Sequence, residues 1–123
     1  MPVESAGEAS AEKFREGVML FNSGEFFKAH EVWEALWLTA SEPDKTFLQG
    51  IIQSAAAFHH HARGNRSGAR SLLVAALEKL GNFPGHYRGV NLAAFRASCR
   101  VFLSASPAVP ACVPSPPPQI PFV

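Results

Sequence analysis

The sequence has few cysteines, and their number and spacing exclude several classes of protein. Cys99 and Cys112 are the two cysteines among 123 residues, too few for the disulfide framework of a small secreted domain. They also lack the paired spacing of zinc ligands. Cys99 falls in an apolar helical pattern, whereas Cys112 falls in a proline-rich stretch. Because this usage suits a reducing compartment, we expect a cytoplasmic protein.

The sequence also lacks an excess of either charge and any long apolar run. Eleven Lys and Arg residues against ten Asp and Glu residues give a net charge of +1 with histidine neutral. A cluster of Arg63, Arg66 and Arg70 is too small for the basic footprint that nucleic acids require. No segment approaches the roughly 18 continuous apolar residues of a membrane helix, and residues 1–11 lack the pattern of a secretory signal. We therefore expect neither a nucleic acid nor a membrane as partner.

Large apolar side chains are abundant. Hydrophobic residues make up 47% of the chain and include ten Phe and two Trp, enough to fill the core of one domain. Apolar residues recur at helical spacing, and sustained alternation typical of strands is missing. Short turns between successive helices favour antiparallel neighbours. The predicted fold is therefore all-α, a compact bundle of about five helices built from antiparallel helical hairpins.

Capping and breaking residues divide the chain into a leader, a helical domain and a tail. Residues 1–9 are expected to form a flexible leader, followed by a helical domain over residues 10–103. Ser10 is a suitable N-cap for the first helix, and Gly24 suits the left-handed position that follows it. The later helices are expected at about 25–40, 45–63, 67–80 and 91–103. Residues 104–123 include seven prolines, so we expect a disordered Pro-rich tail.

A polar cluster interrupts the aromatic second helix. His30 and Glu34 are four residues apart, so their side chains lie one above the other on the same helical face. This spacing lets two side chains bind one metal ion, as in the zincin helix, with Glu in place of the second His. Glu31 lies one position around the helix, where it could act as a base.

A second polar stripe on the third helix is expected to face this cluster. When the two helices are paired antiparallel about the turn near Glu42, residues whose numbers sum to about 85 lie level. His30 then falls beside the segment from Gln53 to Ala55, and His60 falls beside Glu25. The tract His59-His60-His61 cannot chelate as a unit, because consecutive helical side chains point about 100° apart. Of the three, His60 is in phase with Gln53.

The same residues have non-catalytic interpretations, which remain open. Buried His and Gln residues often only cross-link helices by hydrogen bonds. The cluster would then be a buried, hydrogen-bonded group that fixes helix register, a core lock, in a non-enzymatic scaffold or interaction module. The third interpretation is a small-ligand pocket lined by Trp33, Trp37 and Tyr87.

Several motifs in order resemble a known family. The stretch from Phe21 to Trp37, with Ala29-His30-Glu31-Val32-Trp33-Glu34 at its centre, is similar to the hallmark of the family named domain of unknown function 309. The segments 47–53 and 63–69 and the residue His60 are similar as well. The resemblance covers about residues 12–103 and implies a compact helical bundle of bacterial and archaeal proteins. It also implies the label of a predicted metal-dependent hydrolase, and the matching polar residues are Glu25, His30, Glu31, Glu34, Gln49, Gln53 and His60.

These observations lead to one main hypothesis. His30, Glu34 and His60 would bind a divalent metal, zinc, manganese or iron, and Glu31 or Glu25 would be the catalytic base. The pocket would be lined by Gln49, Gln53, Trp33 and Trp37. If the protein is an enzyme, its substrate is an unidentified small molecule. A homo-oligomer is compatible with the sequence.

Overall fold

Five helices and one short hairpin make up the part of the chain that the computed structural model describes, residues 3–104 and 117–123. The predicted all-α bundle is confirmed. Each of the first four helices packs against its neighbour in sequence, and α5 packs against α4. No helix within the described ranges is long and apolar enough to cross a membrane. The elements are α1 (Val3–Asn22), α2 (Phe26–Thr39), α3 (Asp44–Ala62), α4 (Arg66–Leu80), β1 (His86–Tyr87), β2 (Val90–Asn91) and α5 (Leu92–Ser104).

The turns between helices follow from local residue chemistry. Gly24 has a φ of 85°, a left-handed conformation that glycine adopts without steric cost, and this allows α2 to begin two residues later. Asn65 is the N-cap of α4, and its side-chain oxygen accepts a hydrogen bond of 3.0 Å from the Gly68 amide. Capping of this kind satisfies one of the unpaired amides at a helix start.

The core centres on aromatic side chains from α1, α2 and α3. Trp33 is fully buried, and its indole nitrogen donates a hydrogen bond of 3.1 Å to the Phe14 carbonyl. The rings of Phe14 and Phe21 lie 6.1 Å and 6.0 Å from the Trp33 ring. Gly17 makes this approach feasible, because a β-carbon there would lie 2.1 Å from the indole nitrogen.

The start of α1 and the loop after α4 differ from the sequence prediction. The first helix begins at Val3, so the expected flexible leader over residues 1–9 is helical from its third residue. Ser10 lies inside this helix instead of capping it. Residues 86–91 form a two-stranded antiparallel hairpin with Tyr87 opposite Val90. Two-residue strands are too short to show alternation in sequence.

Residues 117–123 also differ from the expected disordered tail, because they pack against the helical domain. Ile120 is fully buried, and Pro118, two residues earlier, is buried as well. The backbone amide of Asn91 donates a hydrogen bond of 2.7 Å to the Pro121 carbonyl. A high proline content predicts disorder, because proline has no amide proton to donate to a helix or sheet. The proline carbonyl can still accept a hydrogen bond, and the packing of residues 117–123 uses this acceptor. Residues 105–116, including Cys112, lie outside the described residues.

Candidate functional site

The register between α2 and α3 agrees with the antiparallel pairing predicted from sequence. The rings of Phe26 and Phe58 lie 5.7 Å apart, and those of Phe27 and His59 lie 5.6 Å apart. Near the other end of the hairpin, the Lys45 ammonium lies 4.2 Å from the centre of a Trp37 ring. The numbers of these pairs sum to between 82 and 86. Residue 30 therefore lies level with residues 52–56 of α3.

His30 and Glu34 form a pair on the partly exposed edge of this helix–helix seam. His30 Nε2 lies 3.3 Å from Glu34 Oε2, and the two side chains are 29% and 55% exposed. Two atoms bound to one ion at about 2.1 Å and at a tetrahedral angle are about 3.4 Å apart. The observed separation is therefore close to that of two ligands of one metal ion.

Two buried polar atoms at the same level have no hydrogen-bond partner among the described residues. They are Nδ1 of His30 and Oε1 of Gln53. An imidazole nitrogen can carry the proton that an amide oxygen accepts, so the two atoms are chemically complementary. Gln53 is within one helical turn of the level of His30. A buried unsatisfied atom costs about 1–3 kcal/mol, which makes this pair the least satisfied point in the seam.

His60, the third predicted ligand, is engaged elsewhere. Its Nδ1 lies 3.1 Å from the side-chain nitrogen of Asn65. Because the Asn65 oxygen already accepts from Gly68, the Asn65 amide nitrogen is the donor and His60 Nδ1 the acceptor. A neutral His60 then carries its proton on Nε2, which must be lost before that nitrogen can bind a metal. Within residues 3–104 and 117–123, no three His, Cys, Asp or Glu side chains form a group that could hold a metal ion.

The other two histidines of the tract also have separate neighbours. His59 contacts Phe27 on α2, and His61 lies 4.9 Å from the ring of Phe102 on α5. The three side chains thus have different neighbours, although the rings of His59 and His60 lie 6.1 Å apart. The histidine that contacts α2 is His59, whereas the sequence phase favoured His60. Phe27 is 54% exposed and also stacks on His30 at 6.0 Å, so its ring occupies the space between His30 and His59.

The two candidate bases lie on the solvent side of α2. Glu25, just before the helix, is 3.8 Å from the Lys28 ammonium, and both side chains are more than half exposed. Glu31 is exposed on the helix surface next to His30 in sequence. Both carboxylates are therefore accessible to a substrate that approaches from solvent.

The residues predicted to line a pocket have different environments. Trp33 is fully buried in the aromatic core, so it cannot line an open site. Trp37 is half-buried beneath Lys45, while Gln49 is half-buried on α3. Two surface cavities, of about 330 Å³ and 280 Å³, lie along α1, and neither is lined by a residue of the α2–α3 seam. Because Trp33 is buried, an open ligand pocket at Trp33, Trp37 and Tyr87 would lack the first of these side chains.

A second polar network, which no sequence motif indicates, joins the start of α3 to the hairpin. Asp44 accepts hydrogen bonds of 2.5 Å from the Tyr87 hydroxyl and from Arg88. Burial raises the pKa of the Asp44 carboxyl, but the bonds from Arg88 and Tyr87 outweigh it, so the pKa is lowered. Burial and the Asp44 carboxylate raise the pKa of Tyr87 to about 12. Since 43 residues separate the partners, no local motif reveals the network.

The fold and the α2 motif together define a small helical-bundle protein with a His–Glu pair on its second helix. A family model described as domain of unknown function (DUF309) matches residues 14–72. Residues 14–72 are thus similar to this family, as the sequence resemblance implied. An uncharacterized protein of Aquifex aeolicus (strain VF5) is 35% identical over 88 residues, which cover 71% of this chain. The same alignment covers 26% of that relative, so the chain spans about a quarter of its length.

Proposed function

We propose that the His30–Glu34 pair binds a divalent metal ion and that the protein acts as a metal-dependent hydrolase. The observation that carries the proposal is the separation of 3.3 Å between His30 Nε2 and Glu34 Oε2 at a partly exposed edge. Imidazole and carboxylate ligands together suit zinc, manganese or iron. With two protein ligands, the remaining coordination positions are available to water and substrate.

Gln53 has a supporting role in this proposal. Metal-binding histidines commonly donate the proton of their other nitrogen to an acceptor that fixes the ring and its tautomer. His30 Nδ1 is buried and unpaired, and the unpaired Oε1 of Gln53 lies at the same level of α3. In this proposal the Gln53 oxygen accepts the proton of His30 Nδ1 when the metal is bound. His30 would then present an unprotonated Nε2 toward Glu34.

A bound divalent ion would lower the pKa of its water and thereby supply a hydroxide nucleophile for hydrolysis. Glu31 or Glu25 would accept the proton from the attacking water. The exposed position of both carboxylates suits a small substrate that enters from solvent.

Metal titration of protein purified without a histidine tag tests the binding. We expect saturable binding of zinc or manganese by isothermal titration calorimetry, with loss of at least about tenfold in affinity for His30→Ala and for Glu34→Gln. Glu31→Gln is the matched control on the same helix and should retain the affinity. His60→Ala should retain it as well, because His60 is bonded to Asn65. Equal binding by wild type, His30→Ala and Glu34→Gln would refute the proposal.

The second candidate is a structural role for the same residues in a non-enzymatic scaffold. The observation in its favour is the complementary pair of His30 Nδ1 and Gln53 Oε1, which would fix the register of α2 against α3 once joined. Under this alternative, metal ions and chelators leave the melting temperature unchanged, while His30→Ala lowers the free energy of unfolding by about 1–3 kcal/mol. Thermal denaturation with and without zinc therefore separates the two candidates.

A further inference from the structure

Residues 117–123 lie on the helical domain in the way that a bound peptide lies on its receptor. The segment is extended and pairs with the hairpin by backbone hydrogen bonds: the Asn91 amide donates to the Pro121 carbonyl at 2.7 Å, and the Val123 amide donates to the Gly89 carbonyl at 2.9 Å. Phe122 forms an antiparallel bridge with Val90. Addition of an extended segment to the edge of a sheet is a recurrent mode of peptide recognition.

Asn22, the last residue of α1, holds the segment from the other side. Its side-chain oxygen accepts a hydrogen bond of 2.7 Å from the Ile120 amide, and its side-chain nitrogen donates one of 3.0 Å to the Ile120 carbonyl. The Gln119 side chain adds a bond of 3.0 Å to the Asn22 carbonyl. One amide side chain thus binds both backbone groups of a single residue, as a neighbouring strand would.

The anchor of the segment is the Ile120 side chain, which is fully buried within the hydrophobic core. Two flanking features favour an extended peptide at this position. Pro117, Pro118 and Pro121 each fix φ near the extended value, which lowers the entropy lost on docking. Phe122 remains 46% exposed at the edge of the 280 Å³ cavity, so Pro118 and Ile120 are the buried residues of the segment.

We propose that Asn22, Gly89 and Asn91 form a recognition site for an extended Gln-Ile-Pro-Phe peptide and that residues 117–123 are its ligand within the chain. The segment docks and is released as a unit while the five helices remain folded. Twelve residues, 105–116, connect it to α5, so docking within the chain has the advantage of a high effective concentration. A peptide added in solution can occupy the site once this segment is displaced.

The test uses the full chain and a labelled peptide of residues 117–123 with blocked ends. Ile120→Asp should displace the segment, because a carboxylate cannot replace the isoleucine in the core. Fluorescence anisotropy should show saturable peptide binding to Ile120→Asp and binding at least about tenfold weaker to the wild type. Adding Asn22→Leu to Ile120→Asp should weaken binding at least tenfold, and a peptide with Asp in place of Ile should not bind.

Circular dichroism and hydrogen exchange make each outcome decisive. If Ile120→Asp keeps its helical signal and does not bind the peptide, the segment is a fixed part of the core and the proposal is overturned. If Ile120→Asp unfolds, hydrogen exchange of the wild type decides. Amides of residues 120 and 123 that exchange together and at least tenfold faster than those of α3 support release as a unit. Exchange at the rate of α3 refutes it.

Discussion

Replacement of Gln53 by leucine separates the two functional candidates, because they predict changes of opposite sign. The Gln53 side chain places an unpaired, buried oxygen in the α2–α3 seam. Leucine has a similar volume and no polar atom. If the amide serves mainly to orient His30 in a metal site, its loss should reduce metal affinity about 10- to 100-fold. That range corresponds to about 1.4–2.7 kcal/mol of binding free energy.

The metal-free protein should respond differently to the same substitution. Removal of a buried unsatisfied acceptor relieves a cost of about 1–3 kcal/mol, so Gln53→Leu should raise the free energy of unfolding by at least about 1 kcal/mol. If Gln53 instead holds α2 and α3 together by a hydrogen bond to His30, the leucine leaves His30 Nδ1 without an acceptor. The free energy of unfolding should then fall by a similar amount. The sign of the change therefore identifies the role.

Urea denaturation monitored by circular dichroism gives the stability, and calorimetric titration with zinc gives the affinity. Gln49→Leu is the matched control, because Gln49 lies one turn earlier on the same helix and is also half-buried. It should change neither quantity by a comparable amount. A Gln53→Leu variant with lowered stability and unchanged zinc affinity would refute the proposed orienting role.

Three further predictions concern the fold around the site. Gly17→Ala should lower the free energy of unfolding by about 3 kcal/mol in urea titrations, because its β-carbon would overlap the core indole at 2.1 Å. The pKa of Tyr87 is raised to about 12, so the neutral hydroxyl contributes stability that is complete below pH 10 and is lost as pH rises through 12. The melting temperature should therefore fall over this pH range, and Tyr87→Phe should abolish the fall. In Cys112→Ser protein, Cys99 should resist thiol reagents until the chain unfolds, since burial raises its pKa to about 12.

The helical architecture could be predicted because its signals are local. Apolar periodicity, Gly24 and the cap residue Asn65 define helix limits that the structure reproduces within about two residues for α2 to α5. The hairpin and the docking of residues 117–123 could not be predicted, because both depend on partners distant in sequence. The bonds of Asn22 to Ile120, for example, span 98 residues.

The candidate site shows the same division between local and distant signals. The four-residue spacing of His30 and Glu34 and the antiparallel register brought the pair and Gln53 to one level. The contact of His60 with Asn65 could not be predicted in this way, because helical phase carries no information about side chains beyond the helix. Asn65 caps α4 and reaches back to the imidazole, and this contact gives His60 a structural partner in the turn.

Binding of metal and hydrolysis need separate tests, because metal binding alone stabilises a protein whatever its role. At a free ion concentration of about 100 times Kd, one site adds about 2.7 kcal/mol to the free energy of unfolding. A raised melting temperature therefore demonstrates a site and does not demonstrate a reaction.

The proposed bases allow catalysis to be tested apart from metal binding, since neither Glu31 nor Glu25 is needed to bind the ion. In a screen of ester, amide and phosphate substrates with zinc or manganese, Glu31→Gln or Glu25→Gln should lose turnover about 100-fold or more while keeping the wild-type metal affinity. Metal-dependent turnover that survives in both single variants and in the double variant would show that neither carboxylate is the base.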